Sequence, residues 1–259
     1  MRLDLGEPRT FGELVATTFA LFWQHLAVFL SLTLIVVAPF VIAVDGVWGG
    51  GLAHAGEAAS QRSAAAAVSA LLGVLIIPLV TALDVAVVLD LGRGEEPTVA
   101  GALRRAGPRL VPAVAAALLY TLGVAAGIVL LIVPGIWLSV RWYFAAQAAV
   151  IDGLSPVAAL RRSAELVQGL WWRNFGVLLV FGLLAAVLGA IGDAVVREIH
   201  AGWLYVTGEI LVRSVVLSLS AIFGTLLFFD CRARAGVRPA AGPAIDSAAP
   251  ERPVPPPGI

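Results

Sequence analysis

The fold is decided by one continuous stretch, which reads IVLLIVPGIWLSVRWYFAAQAAVIDGLSPVAALRRSAELVQGLWWRNFG from residue 128 to residue 176. Its first apolar run breaks at Pro134 and Gly135, and a second apolar run carries a single arginine, Arg141. A polar segment follows and passes through a Trp-Trp-Arg triplet into a third apolar run. Apolar runs of this length predict membrane spans. The stretch therefore predicts a span, a tight turn at Pro134 and Gly135, a second span, a surface helix and a third span.

The composition of the whole chain favours the same class of protein. Hydrophobic residues make up 60% of the 259 residues and charged residues 13%, against roughly half and about a quarter in soluble domains. The formal net charge is zero, so the chain has no overall attraction to nucleic acid. All basic residues are arginine, and Ala, Gly, Val and Pro are abundant, which is typical of a GC-rich bacterial genome. The single Cys231 excludes an internal disulfide.

Working outward from the central stretch, the hydropathy pattern predicts six membrane spans. They cover residues 26–44, 66–90, 111–133, 136–151, 176–196 and 206–229. About 19 residues of helix span roughly 28 Å, close to the hydrocarbon thickness, whereas the fourth span is short at about 24 Å. Pro78 lies inside the second span and predicts a kink there.

Three amphipathic segments each precede a pair of these spans. They start at Thr10, Thr98 and Ser155, which are typical N-cap residues, and Thr10 has the spacing of a capping box with Glu13. The predicted fold is an all-α polytopic membrane protein, with six transmembrane helices and three cytoplasmic amphipathic interfacial helices in a three-fold internal repeat. The predicted organisation is an N-terminal cytoplasmic segment at 1–9, a membrane domain at 10–232 and a disordered Pro/Ala-rich tail at 233–259.

The arginines predict the orientation of the chain. Two arginines fall on one side of the predicted spans, Arg62 and Arg197, and thirteen fall on the other: Arg2, Arg9, Arg93, Arg104, Arg105, Arg109, Arg161, Arg162, Arg173, Arg232, Arg234, Arg238 and Arg252. Cytoplasmic segments carry the excess of basic residues. We therefore expect a multi-pass protein of the bacterial plasma membrane with both termini in the cytoplasm.

Several cationic and aromatic residues of the amphipathic segments are predicted to face the lipid at the interface. A cation near the surface favours anionic headgroups by about 1 kcal/mol, and tryptophan is enriched at headgroup level. The predicted interfacial, lipid-facing residues are Arg104, Arg105, Arg161, Arg162, Trp171, Trp172 and Arg173. The lipid bilayer, with its anionic headgroups, is thus the expected partner. A protein partner is left open.

Several short motifs of the central stretch carry a family resemblance. They are Pro134-Gly135-Ile136, Arg141, Asp152-Gly153, Ala159-Leu160-Arg161-Arg162-Ser163, Leu166, Gly169 and Trp172-Arg173. Together they resemble the membrane domain of bacterial glycerophosphoryl diester phosphodiesterases and related multi-spanning proteins of unknown function. In that family a separate soluble barrel performs hydrolysis, and this sequence has no segment for such a barrel. The resemblance therefore implies a membrane module without phosphodiesterase activity of its own.

Four ionisable residues fall inside the predicted spans: Asp84, Arg141, Glu209 and Arg213. Such groups are costly in hydrocarbon and usually face the bundle interior or water. Their predicted depths favour a cluster of Arg141, Glu209 and Arg213, with Asp84 too far towards the other end to join it. They could fix helix packing or reach water, or they could serve transport or ligand binding.

The sequence contains no recognisable catalytic set. It lacks a His-Glu-x-x-His motif, a Gly-rich phosphate loop with lysine and a cysteine pair for metal. We therefore predict no enzyme activity, no catalytic residue, no cofactor and no metal site. The leading interpretation is a membrane scaffold, accessory or lipid-interacting module. The alternatives are a small-molecule or ion permease, and a membrane component of a glycerophosphodiester-related enzyme that acts with a soluble partner.

Overall fold

The computed structural model describes residues 5–48, 59–198 and 202–236. Within these ranges the chain is helical and contains no strand. In chain order the described helices are α1 (Phe11–Gln24), α2 (Leu26–Trp48), α3 (Ala59–Arg93), α4 (Val99–Leu130), α5 (Ile132–Arg141), α6 (Ala145–Ile151), α7 (Pro156–Val167), α8 (Trp171–Arg197) and α9 (Gly202–Arg234). Residues 49–58, and the part of the predicted 233–259 tail that follows residue 236, lie outside the described residues.

Several of these helices are long and apolar enough to cross a membrane. Four of the described segments meet this condition, namely Leu75–Arg93, Val99–Leu130, Trp171–Val196 and Trp203–Arg234. A fifth arises if α1 and α2, which meet at 86°, are counted as one bent span. The all-helical, multi-pass character is thus confirmed, whereas the predicted number of six spans is not.

Helix α1 begins where the sequence predicts it. The Thr10 hydroxyl accepts a hydrogen bond from the Glu13 backbone N–H, and the Thr10 backbone N–H donates to the Glu13 carboxylate at 2.7 Å. This reciprocal pair gives hydrogen-bond acceptors to two backbone N–H groups at the start of the helix, those of Thr10 and Glu13. Leu14 and Phe22 are buried, whereas Glu13 is exposed. The predicted capping box is therefore confirmed, whereas the interfacial position of this amphipathic segment stays a prediction.

Helix α4 corrects one predicted boundary. The second amphipathic segment and the third span were expected to be separate, yet they form one helix of 32 residues. Thr98 caps this helix by accepting a hydrogen bond from the Gly101 N–H at 3.1 Å. Pro108 and Pro112 lie inside the helix. A proline removes one backbone hydrogen bond, and water or neighbouring groups can satisfy the freed carbonyl, so neither proline ends the helix.

The turn predicted at Pro134 and Gly135 lies three residues earlier. Leu131 has an extended backbone and separates α4 from α5, so Pro134 and Gly135 belong to the first turns of α5. A proline is tolerated in the first turn because its missing N–H would have no helical partner there. Gly135 serves close packing instead: a Cβ on it would lie 2.7 Å from the backbone nitrogen of Ile128.

The predicted fourth span is also broken. Residues 142–144 form a turn between α5 and α6, and neither helix is long enough to cross a bilayer alone. The buried hydroxyl of Ser163 on α7 holds this break, because it donates to the Arg141 carbonyl at 2.9 Å and accepts from the Phe144 N–H at 3.1 Å. Satisfying backbone groups in this way makes a helix break tolerable inside an apolar protein.

Helix α9 lies at the centre of the bundle and contacts α1, α2, α3 and α8. Its Phe223 and Phe228 are buried, and Phe223 stacks on Phe181 of α8 with 3.7 Å between ring centroids. Helix α8 packs mainly along α9, and most of its remaining surface is apolar and exposed. Such a surface suits a lipid environment.

The three predicted repeat units differ at their junctions. The first contains the 86° bend between α1 and α2, and the second continues straight through α4. The third has a turn between α7 and α8 at Gly169, whose φ is +78°. The three-fold repeat is therefore not confirmed.

Candidate intramembrane site

Asp84 is the most unusual polar residue of the helical core. It lies on α3, six residues after the internal Pro78, and its side chain is completely buried. Its neighbours Val80, Val85 and Val88 on the same helix are also buried. Neither carboxyl oxygen has a hydrogen-bond partner among the described residues. A buried carboxyl group without a partner is costly and marks a candidate functional site.

Two hydroxyl groups lie at this position, one from each neighbouring helix. The Ser218 side chain of α9 lies beside the Asp84 carboxyl group. Ser218 is also 2.5 Å from the Thr33 hydroxyl of α2, which in turn donates to the Phe29 carbonyl at 3.0 Å. Either hydroxyl can donate in the contact between Thr33 and Ser218. In both cases the Asp84 oxygens have no regular hydrogen bond among the described residues.

A third hydroxyl continues the same face of α9. Ser214 lies one helical turn before Ser218, is completely buried and has no hydrogen-bond partner among the described residues. We refer to Thr33, Asp84, Ser214 and Ser218 as the Asp84 site. Its polar groups come from α2, α3 and α9 and lie in an otherwise apolar region.

A cavity of about 340 Å³ opens between α2, α3, α8 and α9. Asp193 and Arg213 contribute charged groups to its wall, and Val37 and Ile76 contribute apolar ones. Val37 follows Thr33 by one turn on α2. Val80, which precedes Asp84 by one turn on α3, packs in the same buried cluster as Val37 and Ile76. Val37, Ile76 and Val80 therefore form an apolar cluster beside this cavity, within one helical turn of Thr33 and Asp84 along α2 and α3. We call this cavity the outer cavity because its α8 and α9 residues lie far along those helices from Arg173 and Arg234.

A second cavity of about 240 Å³ lies between α3, α4, α6 and α9. Tyr120, Trp142, Tyr143 and Gln147 line it. The Gln147 side chain is buried, and its carbonyl oxygen has no hydrogen-bond partner in the described part of the chain. Aromatic rings and an amide thus meet in this cavity, and no local sequence pattern predicts that they lie together.

The predicted cluster of intramembrane charges forms only in part. Glu209 and Arg213 are paired at 2.5 Å, one turn apart on α9. Arg141 lies instead over the Trp137 ring, 4.8 Å from its centroid, and it forms no ion pair with the described acidic residues. The reason is that Arg141 ends the short helix α5, which packs on α4, α7 and α8 rather than on α9. No ion pair joins Arg141 to Glu209 among the described residues, so the predicted three-residue cluster is not confirmed.

A different charged cluster occupies one end of the bundle. The buried Asp230 carboxylate of α9 lies 2.8 Å from Arg173 of α8 and 3.1 Å from Arg234. It also accepts a hydrogen bond at 2.7 Å from the backbone N–H of Arg9. The guanidinium groups of Arg173 and Arg234 donate in turn to the Arg9 carbonyl. These contacts fasten the segment before α1 to the ends of α8 and α9.

Asp152, at the end of α6, extends this cluster by contacting Arg232, which lies two residues after Asp230 on α9. It pairs with Arg232 at 2.8 Å and with Arg162 of α7 at 3.4 Å. Arg109 of α4 donates to the Val150 carbonyl at the end of α6. We call this whole cluster the arginine-rich end; it comprises Arg9, Arg109, Asp152, Arg162, Arg173, Asp230, Arg232 and Arg234.

The predicted interfacial residues fall into two groups. Three arginines are ion-paired: Arg105 with Asp90 and Glu95, Arg162 with Asp152 and Glu165, and Arg173 with Asp230. The Trp171 indole N–H donates to the Trp137 carbonyl at 3.2 Å. Arg104, Arg161 and Trp172 are exposed, and Trp172 is 78% exposed. Their contact with lipid stays a prediction.

The described residues contain no group of three or more His, Cys, Asp or Glu side chains that could hold a metal ion. No family model, no curated protein and no solved structure matches the chain. The site is therefore interpreted from its own chemistry. The resemblance to the diesterase membrane domain stays a prediction from the residues that carry it.

Sequence reasoning missed three polar residues that the fold brings into these sites. Asp230 was visible as a single acidic residue at the end of an apolar run, just after Phe228 and Phe229. Thr33 gave no signal, because a lone threonine in a span is common. Ser218 gave no signal either, because its position beside Asp84 depends on contact between helices far apart in sequence.

Proposed function

We propose that this chain is a multi-pass protein of the bacterial plasma membrane that acts as a scaffold, accessory or lipid-interacting module. The observation that carries this proposal is the arginine-rich end. Six arginines from the N-terminal segment, α4, α7, α8 and α9 gather at one end of the bundle. Because basic residues collect on the cytoplasmic side, this end belongs in the cytoplasm.

The exposed cations beside this end supply the lipid-interacting surface. Arg104 and Arg161 are exposed and form no ion pair with other described residues, and Trp172 lies at the start of α8 with most of its ring exposed. Exposed arginine and tryptophan at a membrane surface bind anionic headgroups and anchor the helix ends. The surface therefore suits phosphatidylglycerol or a related anionic lipid.

Lipid retention tests this proposal. The protein is purified in detergent with mixed phosphatidylglycerol and phosphatidylcholine, and native mass spectrometry measures the bound anionic lipid. We expect the double variant Arg104→Gln/Arg161→Gln to lower phosphatidylglycerol affinity by about fivefold per arginine. The matched control is Arg213→Gln, which removes an exposed arginine already paired with Glu209. Equal retention by the double variant and the control would contradict the proposal.

A small-molecule or ion permease is the second candidate, and the Asp84 site favours it. An unpartnered carboxyl group in the bundle, about one helical turn from the apolar cluster beside the outer cavity, is the arrangement expected of an ion or proton pathway. Proteoliposomes with a pH-sensitive or sodium-sensitive dye measure the flux. Loss of flux in Asp84→Asn with normal flux in Glu165→Gln, an exposed carboxylate of α7, would support this candidate. Equal flux from wild type and empty liposomes would exclude it for these ions.

A further inference from the structure

We propose that Asp84, Thr33 and Ser218 form a binding site for one monovalent cation, a proton or a sodium ion, enclosed between α2, α3 and α9. The inference rests on the permease candidate for its physiological purpose. Occupancy of the site can nevertheless be measured without any transport.

The surroundings of Asp84 show why its occupant is positive. The carboxyl group is completely buried, and among the described residues neither of its oxygens has a hydrogen-bond partner and no arginine pairs with it. An ionised carboxylate in such a place is strongly disfavoured unless a positive charge accompanies it. A proton on Asp84 would donate to the Ser218 oxygen, and a sodium ion would bind the same oxygens.

The other buried carboxylates of the bundle show what Asp84 lacks. Asp90 lies on the same helix, six residues further on, and pairs with Arg105. Asp230 pairs with Arg173 and Arg234. The fold thus supplies these two carboxylates with a cation of its own. The absence of one beside Asp84 leaves the compensating charge to come from solution.

The same chemistry limits the kind of ion. The site offers one carboxylate and neutral hydroxyl oxygens from the helices packed against it, so a single positive charge balances it. Calcium and magnesium take six or more oxygen ligands, and calcium sites usually carry several carboxylates. Oxygen ligands also disfavour soft transition metals. A proton or a sodium ion fits this donor set.

The outer cavity provides the route by which the ion arrives. The apolar cluster of Val37, Ile76 and Val80 borders it and lies about one helical turn, roughly 5 Å along the helix axes, from Thr33 and Asp84. Asp193 in its wall lies where an incoming cation would first meet the protein. In the structure the Asp84 side chain is completely buried, so binding requires a small separation of α2 from α3.

Carbodiimide labelling tests the site in membrane vesicles. Dicyclohexylcarbodiimide reacts with protonated carboxyl groups in apolar surroundings, and peptide mass spectrometry identifies the modified residue. We expect Asp84 to be labelled, while the ion-paired Asp90 and Asp230 stay unmodified and serve as internal controls. Raising the pH should slow the labelling. If sodium chloride slows the labelling of Asp84 at constant pH and choline chloride does not, the bound cation is sodium. If the labelling rate is the same in both salts, the bound cation is the proton.

Infrared spectroscopy covers the case in which the reagent fails to reach the site. In sodium-free buffer the wild type should show a carboxylic acid band that is lost in Asp84→Asn. The absence of both Asp84 labelling and this band would overturn the proposal.

Two serines of α9 provide a matched pair of variants. Ser218→Ala removes an oxygen beside Asp84 and should change the half-point of pH or sodium protection by about tenfold. Ser220→Ala removes a hydroxyl that only donates to the Val216 carbonyl, and it should leave the half-point unchanged. An equal effect of the two variants would contradict the assignment of Ser218. If the site binds a cation but the protein carries no flux, the permease candidate is excluded and the binding site stands. If the site binds no cation, the binding site is excluded, and the lipid-interacting proposal is not affected.

Discussion

Asp230 and Asp84 are both completely buried acidic residues, yet their surroundings are opposite. Asp230 lies at the arginine-rich end, where Arg173, Arg234 and the Arg9 backbone satisfy it. Asp84 lies among buried apolar residues of α3, and neither of its carboxyl oxygens has a hydrogen-bond partner among the described residues. Burial alone therefore does not determine the role of an acidic residue in this protein. A charge with partners fastens helices together, whereas a charge without partners needs a ligand.

The largest effect is expected at the paired carboxylate. Asp230→Ala leaves Arg173 and Arg234 without their anion and releases the segment before α1. Breaking a buried ion pair by removing one partner typically costs about 3–5 kcal/mol. Denaturant unfolding in detergent micelles should show a loss of free energy of unfolding of this size.

The control for Asp230→Ala is Glu165→Gln. Glu165 pairs with Arg162 at 3.5 Å on the surface of α7, and an exposed pair contributes only about 0–1 kcal/mol. If Asp230→Ala cost no more than this control, the arginine-rich end would not hold the bundle together.

A smaller loss is expected where α4 and α5 touch. Gly135→Ala places a methyl group against the backbone of Ile128, and overpacking of this kind costs about 1–3 kcal/mol. Gly182→Ala in α8 is the matched control, because no atom lies within 4 Å of the added carbon. The same unfolding assay should therefore separate the two variants. Equal stability would show that Gly135 does not pack against α4.

The change at the unpaired carboxylate is expected to be smaller still. Asp84→Asn removes no ion pair and no hydrogen bond of the described structure. Its free energy of unfolding should stay within about 1 kcal/mol of the wild type, or rise, because an unsatisfied buried group is itself costly. Asp90→Asn, which breaks the pair with Arg105 on the same helix, should cost more. A loss at Asp84 as large as that at Asp230 would reveal a permanent partner and remove the contrast.

The smallest effect concerns the capping box of α1, far from both carboxylates. The backbone N–H and then the hydroxyl of Thr10 donate to Glu13 and hold the pKa of Glu13 below its ordinary value. A lowered pKa in the folded state adds stability above the ordinary pKa, and this stability is lost as the pH falls through the lowered value. The protection factors of the α1 amides, which correct for the slower intrinsic exchange in acid, should therefore fall below about pH 4.5.

The Glu13→Gln variant isolates this contribution. Its α1 exchange protection should be less dependent on pH across the acidic range than that of the wild type. Glu165→Gln again serves as the control, because Glu165 lies on α7. An unchanged pH profile in Glu13→Gln would contradict the role assigned to the Glu13 carboxylate.

The features that could be predicted from sequence are local ones. Thr10 and Glu13 lie three residues apart, so their capping box is visible in the sequence. The long apolar runs likewise indicate the helices that can cross a membrane. By contrast, the extended backbone of Leu131 depends on the packing of Gly127 against Gly135. No local pattern announces that contact, and the position of the turn was therefore missed.

Contacts between distant segments account for the remaining differences. The Arg9 N–H reaches Asp230 across 221 positions, and Thr33 reaches Ser218 across 185. Hydropathy predicted that Asp84 and Arg141 lie among apolar residues, but it could not say which helix faces each side chain. In the structure Arg141 lies over the Trp137 ring and is not paired with Glu209.

The orientation of the bundle in the membrane can be tested by the accessibility of single cysteines to a membrane-impermeant maleimide. Arg104→Cys and Arg161→Cys report on the predicted cytoplasmic side, Trp203→Cys reports on the other side, and the buried Cys231 should not react. The account predicts labelling of the Trp203→Cys variant in intact cells and labelling of the two arginine positions only in inverted vesicles. Labelling of positions 104 and 161 from opposite faces would contradict it.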